Sequence, residues 1–273
     1  MPQQLRHLGK SISITLAVIL TMVLQPNLTG SAASAYFFYF NPDSSLSNLT
    51  SLKQTMDTLL NAEGLSYAFQ SFTRFQDFNR QVQEAKPTLL FLPDWYLKQD
   101  GNDKKFKPLM IPMRHGATTY RKVLLVAADS PLTMATLPEA TIAMTHVGQA
   151  GLTLLNDTLF KDSGVQSEKL NIITTAKDTD ALFALTLGQV KAAIISQDNL
   201  NTIGQINPKI LKTVKQLAVS EPMPLPVLCY ADSLMAKADL DKLKSLLRAG
   251  KEDHHIAKLM EQLDIDAWKD PTP

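Results

Sequence analysis

The sequence predicts an α/β protein of two lobes with a cleft between them, and three observations carry that expectation. Short apolar runs alternate with helical stripes along most of the chain, the pattern of a mostly parallel sheet covered by helices. The alternation occurs twice, once up to about residue 121 and again from about 122 to 220. A stretch with three prolines in five positions, Ser220-Glu221-Pro222-Met223-Pro224-Leu225-Pro226, then interrupts it. Such a stretch fits neither a helix nor a central strand and makes a stiff, extended crossing.

In the first unit, Tyr36–Phe40 is an aromatic strand and Asn41-Pro42-Asp43-Ser44-Ser45 is turn chemistry. Leu46, Leu49, Leu52, Met56, Leu59 and Leu60 form a helical stripe that Gly64 can end. Ser66–Phe69 reads as a strand, Phe75, Phe78 and Val82 as a second helix, and Thr88–Leu92 as a buried strand. Gly101–Lys107 is polar and reads as an exposed loop, with a strand following at Leu109–Pro112. The second unit places strands at Lys122–Ala127, Thr141–Met144, Leu170–Thr174 and Val190–Ile195. Its helices follow Gly148-Gln149-Ala150-Gly151 and span Asp180–Leu187, stopped by Gly188. Val227–Ala231 is a last strand, with helices near Asp239–Arg248 and His254–Leu263. The expected organisation is residues 36–121 plus 221–273 as lobe 1 and residues 122–220 as lobe 2. The hinge lies at the two crossings, near Arg121–Lys122 and Ser220–Pro224.

Residues 1–35 stand apart. Arg6, His7 and Lys10 precede an apolar stretch, Ile12–Leu24, and Ser31-Ala32-Ala33-Ser34-Ala35 supplies small residues after it. These are the parts of a secretory signal peptide cleaved near Ala35. The apolar stretch is shorter than the roughly 20 residues that span a bilayer. An uncleaved anchor is the alternative. The expected location is the periplasm.

The 273 residues are 45% hydrophobic and 19% charged, with 27 Lys+Arg against 26 Asp+Glu. Disorder and low-complexity repeats need a stronger bias, and a nucleic-acid partner calls for a basic surplus. One cysteine, Cys229, leaves no internal disulfide and no multi-cysteine metal site. Neither a Gly-x-Ser-x-Gly elbow, a His-Glu-x-x-His helix nor a phosphate loop occurs. His254 and His255 are adjacent and point apart on a helix, which disfavours a shared metal. No catalytic residue, cofactor or metal is expected.

Asn41-Pro42-Asp43-Ser44-Ser45 after the first strand, Tyr120-Arg121-Lys122-Val123-Leu124-Leu125-Val126 before Asp129-Ser130, Ala181–Ile195, and Ser220-Glu221-Pro222-Met223-Pro224 stand in that order. Together they resemble the phosphate/phosphite/phosphonate-binding family of ABC importers, a branch of the type II periplasmic binding proteins. The resemblance implies a type II fold whose cleft closes on a small ligand, a phosphonate-like or other oxyanion, for delivery to an ABC permease. A periplasmic sensor for a membrane signalling receptor and an exported enzyme on the same scaffold are the alternatives. A monomer is expected. Where the family carries a Ser-Thr-Ser-Gly turn that holds the anion, this chain has Gly148-Gln149-Ala150-Gly151, so the ligand stays open.

The candidate ligand-binding residues are Ser44, Ser45, Tyr96, Thr145, His146, Gly148, Gln149 and Asp178, each with a structural alternative. Ser44 and Ser45 end the first strand's turn and equally suit capping a helix near Leu46. Tyr96, with Asp94 and Trp95, follows a strand whose carboxyl end should face the cleft, and equally suits packing. Thr145 and His146 precede the Gly148 turn, where helix N–H groups attract anions and Gln149 offers an amide. A histidine beside an apolar strand is also a common structural residue. Asp178 suits capping the helix that follows it. Arg114 suits an anion or a solvated loop.

Overall fold

The computed structural model describes residues 35–271 apart from residues 45–47 and 100. The expected signal peptide, but for Ala35, lies outside the described residues. The first unit runs β1 (Ala35–Phe40), α1 (Leu49–Ala62), β2 (Tyr67–Phe72), α2 (Phe75–Ala85) and β3 (Leu89–Leu92), then short helices α3 (Asp94–Leu97) and α4 (Asn102–Lys105) and strand β4 (Phe106–Met113). A two-residue strand, β5 (Thr119–Tyr120), leads out of it. The second unit runs β6 (Lys122–Ala127), β7 (Thr141–Thr145), α5 (Gly148–Thr158), β8 (Asn171–Thr175), α6 (Asp178–Thr186), β9 (Ala192–Ser196), α7 (Gln197–Ile206) and β10 (Val214–Val219). The chain returns through β11 (Met223–Pro224) to β12 (Val227–Ala231), α8 (Lys237–Ala249), α9 (His254–Leu263) and β13 (Ala267–Lys269).

Two sheets result, ordered β13-β4-β12-β3-β1-β2 and β10-β6-β9-β7-β8. β1 pairs in parallel with β2 and β3, whereas β12 runs antiparallel to both β3 and β4. In the second sheet β7 is parallel to β8 and β9, and β6 is antiparallel to β9 and β10. Each sheet is therefore crossed by a reversed strand that arrives directly from the other unit. The two crossings pair with each other as β5 and β11. Ser220 ties them further: its N–H donates to the Lys122 carbonyl at 2.8 Å, and the Lys122 N–H donates to Ser220 Oγ at 2.9 Å.

Alternation along β1 explains the layering, because successive side chains leave opposite faces of a strand. Phe37 and Tyr39 join Leu89, Phe91 and the apolar faces of α1, α8 and α9. Phe38 and Phe40 join Leu90, Leu92 and α2. In the second sheet Val123 and Leu125 face α6 and α7, while Leu124 and Val126 face the cluster that holds Leu155 of α5. Gly64, at φ +64°, ends α1: its N–H donates to the Asn61 carbonyl and that of Leu65 to the Leu60 carbonyl, at 3.1 and 2.8 Å. This left-handed closure satisfies carbonyls the helix would leave bare.

Several local expectations change. α1 starts at Leu49, capped by Asn48, whose side chain accepts from the Ser51 N–H at 2.9 Å. The cap thus lies beyond Ser44. The lysine-rich segment after Gly101 is helix α4 and then the start of β4, because Asn102 and Phe106 bury and anchor it. Arg114 neither floats nor waits for an anion; its guanidinium bonds Asp198, Asp264 and the carbonyls of Leu263 and Asp264. Cys229 is fully buried in β12 and burial pushes its thiol pKa up, so it is an unreactive core residue. Among the described residues no helix is long and apolar enough to cross a membrane.

Phe78 is fully buried, with its ring stacked on Phe40 at 4.9 Å and edge-on to Phe72 and Tyr96. Replacing it, Phe78→Ala, should cost about 3–5 kcal/mol in urea unfolding, the usual toll for a buried aromatic. A loss under about 1 kcal/mol would show that this face tolerates collapse.

Candidate functional site

The carboxyl ends of the strands of the two sheets meet, and the residues that follow them form the interlobe surface. From the first lobe come the β1 turn, α2 and α3; from the second come Lys122, the ends of β7 and β9, and the starts of α5, α6 and α7. The expected gap is closed over part of this surface. Phe75 and Trp95 pack into the same apolar cluster as Val147 and Leu155.

At the centre lies Asp43, nine-tenths buried, reaching from the β1 turn into the second lobe. Its Oδ1 accepts from Lys122 Nζ at 2.7 Å and from Thr145 Oγ1 at 2.9 Å, and its Oδ2 accepts from the Tyr120 hydroxyl at 2.7 Å. Asn199 Nδ2 donates to the Asp43 carbonyl at 3.1 Å. Burial works against the charge on Asp43, but Lys122, with the Tyr120 and Thr145 hydroxyls, outweighs it and holds the carboxyl below its ordinary range. Burial likewise opposes the Lys122 charge; Asp43 and then Asp178 overcome it and raise the ammonium pKa. Both groups stay ionised as a buried pair.

Asp178 is the first residue of α6 and is fully buried. Capping of its own helix is not what its side chain does. Oδ2 accepts from the Ser196 N–H and from Asn199 Nδ2, both at 2.7 Å, joining α6 to the β9–α7 corner. Its Oδ1 has no hydrogen-bond partner. Burial first, opposed by Lys122 and helped by Asp43, pushes this carboxyl up to about 6.

The start of α5 lies beside this network. Gly148 opens the helix at φ +59°, and a Cβ there would meet Gln99 Oε1 at 2.8 Å and Trp95 Cζ3 at 3.1 Å. Only glycine permits both the left-handed backbone and this approach of the first lobe. Val147 at the cap position contributes no side-chain bond and the first turn carries no acid, so the helix start keeps its positive end. A cavity of about 400 Å³ opens here, lined by Phe75, Gln99, Thr145, His146, Gly148 and Gln149, with Ile172 and Thr174 below. His146 stacks on Phe75 across the lobes at 4.6 Å, and burial lowers its pKa.

The structure thus brings Thr145, His146, Gly148 and Gln149 together on one cavity. Ser44 sits apart, its Oγ accepting from the Tyr39 hydroxyl at 3.4 Å beside a separate small void that Lys177 also lines. Ser45 lies outside the described residues. Tyr96 turns away from the second lobe and donates to Asn79 Oδ1 at 2.9 Å; its neighbour Trp95 makes the approach to α5. Asp43, Lys122, Tyr120 and Asn199 were not among the candidates. A lysine abutting the wholly apolar Val123–Val126 run was the available signal, since a buried lysine needs a partner. Among the described residues no group of three or more His, Cys, Asp or Glu is placed to hold a metal ion.

Two α/β lobes, each completed by a reversed strand from the other and joined by a paired crossing, define a type II periplasmic binding protein. The family model described as "ABC transporter, phosphonate, periplasmic substrate-binding protein" matches residues 38–273, and the chain belongs to this family. It is a solute-binding protein for an ABC importer. Solved structures share its fold. A binding protein component of an ABC phosphonate transporter from Pseudomonas aeruginosa superposes with a TM-score of 0.70 at 13% identity, over 87% of this chain and 81% of that one. PhnD1 from Prochlorococcus marinus in complex with methylphosphonate gives 0.69 at 9%, over 88% and 93%. A Xanthomonas citri protein bound to ATP gives 0.65 at 12%, over 88% and 91%. No curated protein matches the sequence.

The Asp178 shift has a testable sign. Its folded pKa lies above the ordinary value of 3.8, so the folded state binds the extra proton between about pH 4 and 6. Its contribution is fully present below pH 4 and is lost as pH rises through about 6. Asp178→Asn should flatten that part of the stability-against-pH curve in chemical denaturation. An unchanged slope would place the proton elsewhere.

Proposed function

We propose that the solute is a small, singly charged oxyanion, a phosphonate-like one foremost, bound in the cavity at the start of α5. The single observation that carries this reading is that cavity, lined between the lobes by an uncapped helix N-terminus, His146 and Gln149, whose amide donates to Glu168 Oε1 at 3.5 Å in this structure. Helix N–H groups and the positive helix end suit an anion there. Among the described residues neither lysine nor arginine lines the cavity, and the buried Lys122 nearby is already paired with Asp43. A second negative charge would therefore lack a counter-charge, which favours a monoanion. The methylphosphonate held by the Prochlorococcus marinus relative is a ligand of this class.

The solute is released unchanged to the permease, so the protein is no enzyme, and it works as a monomer without nucleic acid. Residues 1–35 serve as the signal peptide, with cleavage near Ala35. Intact mass of the exported protein should then correspond to a chain starting at Tyr36; a mass retaining residues 1–35 would favour an anchor.

Thermal-shift screening of residues 36–273 should give a rise in Tm with methylphosphonate and none with amines. At a hundredfold excess over Kd the gain is about 2.7 kcal/mol. Gln149→Ala should weaken the methylphosphonate affinity about tenfold, the low end for a hydrogen bond to a charged group, with little change in the unliganded Tm. A response to amines alone would reject the oxyanion reading.

A further inference from the structure

The cleft holds a second, fully built anion cradle, and it is already occupied. Lys122, Tyr120 and Thr145 place an ammonium and two hydroxyls on the two oxygens of one carboxylate, at 2.7–2.9 Å. Lys122 is fully buried and Thr145 nearly so. All three donors belong to the crossing or to the second lobe, while the carboxylate comes from the first. The sequence separations are 79, 77 and 102 residues, so none of this is local turn chemistry.

We propose that Lys122, Tyr120 and Thr145 form a carboxylate-binding site and that Asp43 is its built-in ligand. The first lobe is bound to the second much as a dissolved carboxylate would be. When the lobes part, Asp43 leaves with the first lobe and Lys122 loses its hydrogen-bonded counter-charge, keeping only the charge of Asp178, which makes no hydrogen bond to it in the structure. A buried ammonium so exposed takes up a free carboxylate or similar anion, which then competes with Asp43 and opposes closure. The closed arrangement is in this sense the self-liganded one. It shares Thr145 with the α5 cavity but differs from it in the charged donor, Lys122, and in occupant, and its test uses formate alone, so the two readings stand or fall separately.

Asp43→Ala deletes the carboxylate and leaves a space the size of formate. The variant should lose about 10 °C in Tm, as expected for orphaning a buried charge, and should expand in small-angle scattering. Sodium formate should restore most of the lost Tm and the compact shape, where sodium chloride at equal ionic strength does not. The parent protein should gain no Tm from formate, and Asp43→Ala combined with Lys122→Met should not be rescued. If Asp43→Ala is too unstable to purify, its refolding yield in formate against chloride reads the same binding. An unchanged Tm, equal rescue by chloride, rescue without Lys122, or no gain in refolding yield would each overturn the proposal.

Discussion

The most deeply buried ion pair among the described residues, Asp43 with Lys122, governs how the two halves of this protein meet. Charges withdrawn from water cost several kcal/mol each unless geometry and further hydrogen bonds compensate. Here the compensation is nearly complete. Two hydroxyls finish the carboxylate, Asn199 secures the Asp43 backbone, and Asp178 adds a second negative charge beside the ammonium. The shared members make the network a unit, with Asn199 bonding both Asp43 and Asp178. Moving one lobe disturbs all of it.

Around this polar centre much of the interlobe contact is apolar and aromatic, joined by a partly buried ion pair between Arg114 of the first lobe and Asp198 of α7 at 3.3 Å. Phe75, Trp95 and His146 form one patch against the glycine-opened start of α5. The two parts play different roles. Apolar contact is non-directional and tolerates sliding, whereas the ion pair fixes register and is either made or broken. The two crossings are held to each other by the backbone pairing of β5 with β11 and by Ser220.

Much of the fold was legible because it rests on local periodicity. The strand at Tyr36–Phe40 follows from its aromatic run, and the α1 stop at Gly64 and the α9 helix at His254–Leu263 follow from helical stripes and their end signals. α7 was missed because Gln-Asp-Asn-Leu-Asn-Thr-Ile-Gly carries few helix formers; Leu200 and Ile203 packing against the second sheet, with Ser196 capping the Asn199 N–H, makes it a helix. β10, at the edge with lysine and glutamine exposed, gave only a weak alternation. At the site, Gly148, Gln149, Thr145 and His146 were legible as a helix start after a strand. Asp43 and Lys122 were not, since nothing local links residues 79 apart. Capping at Ser44 failed because Asn48 was the better-placed acceptor.

The strand order carries a consequence for biogenesis. β12 lies in the middle of the first sheet, between β3 and β4, yet its residues follow the whole of the second lobe. A chain emerging amino end first therefore exposes two unpaired edges in its early half for as long as the later half is still being threaded out. The inserted half can complete its own sheet at once, since β6 through β10 are contiguous. The topology is nested rather than sequential: the second lobe is one contiguous stretch, and the strand edges that β3 and β4 present to each other are paired only when Val227–Ala231 lies between them.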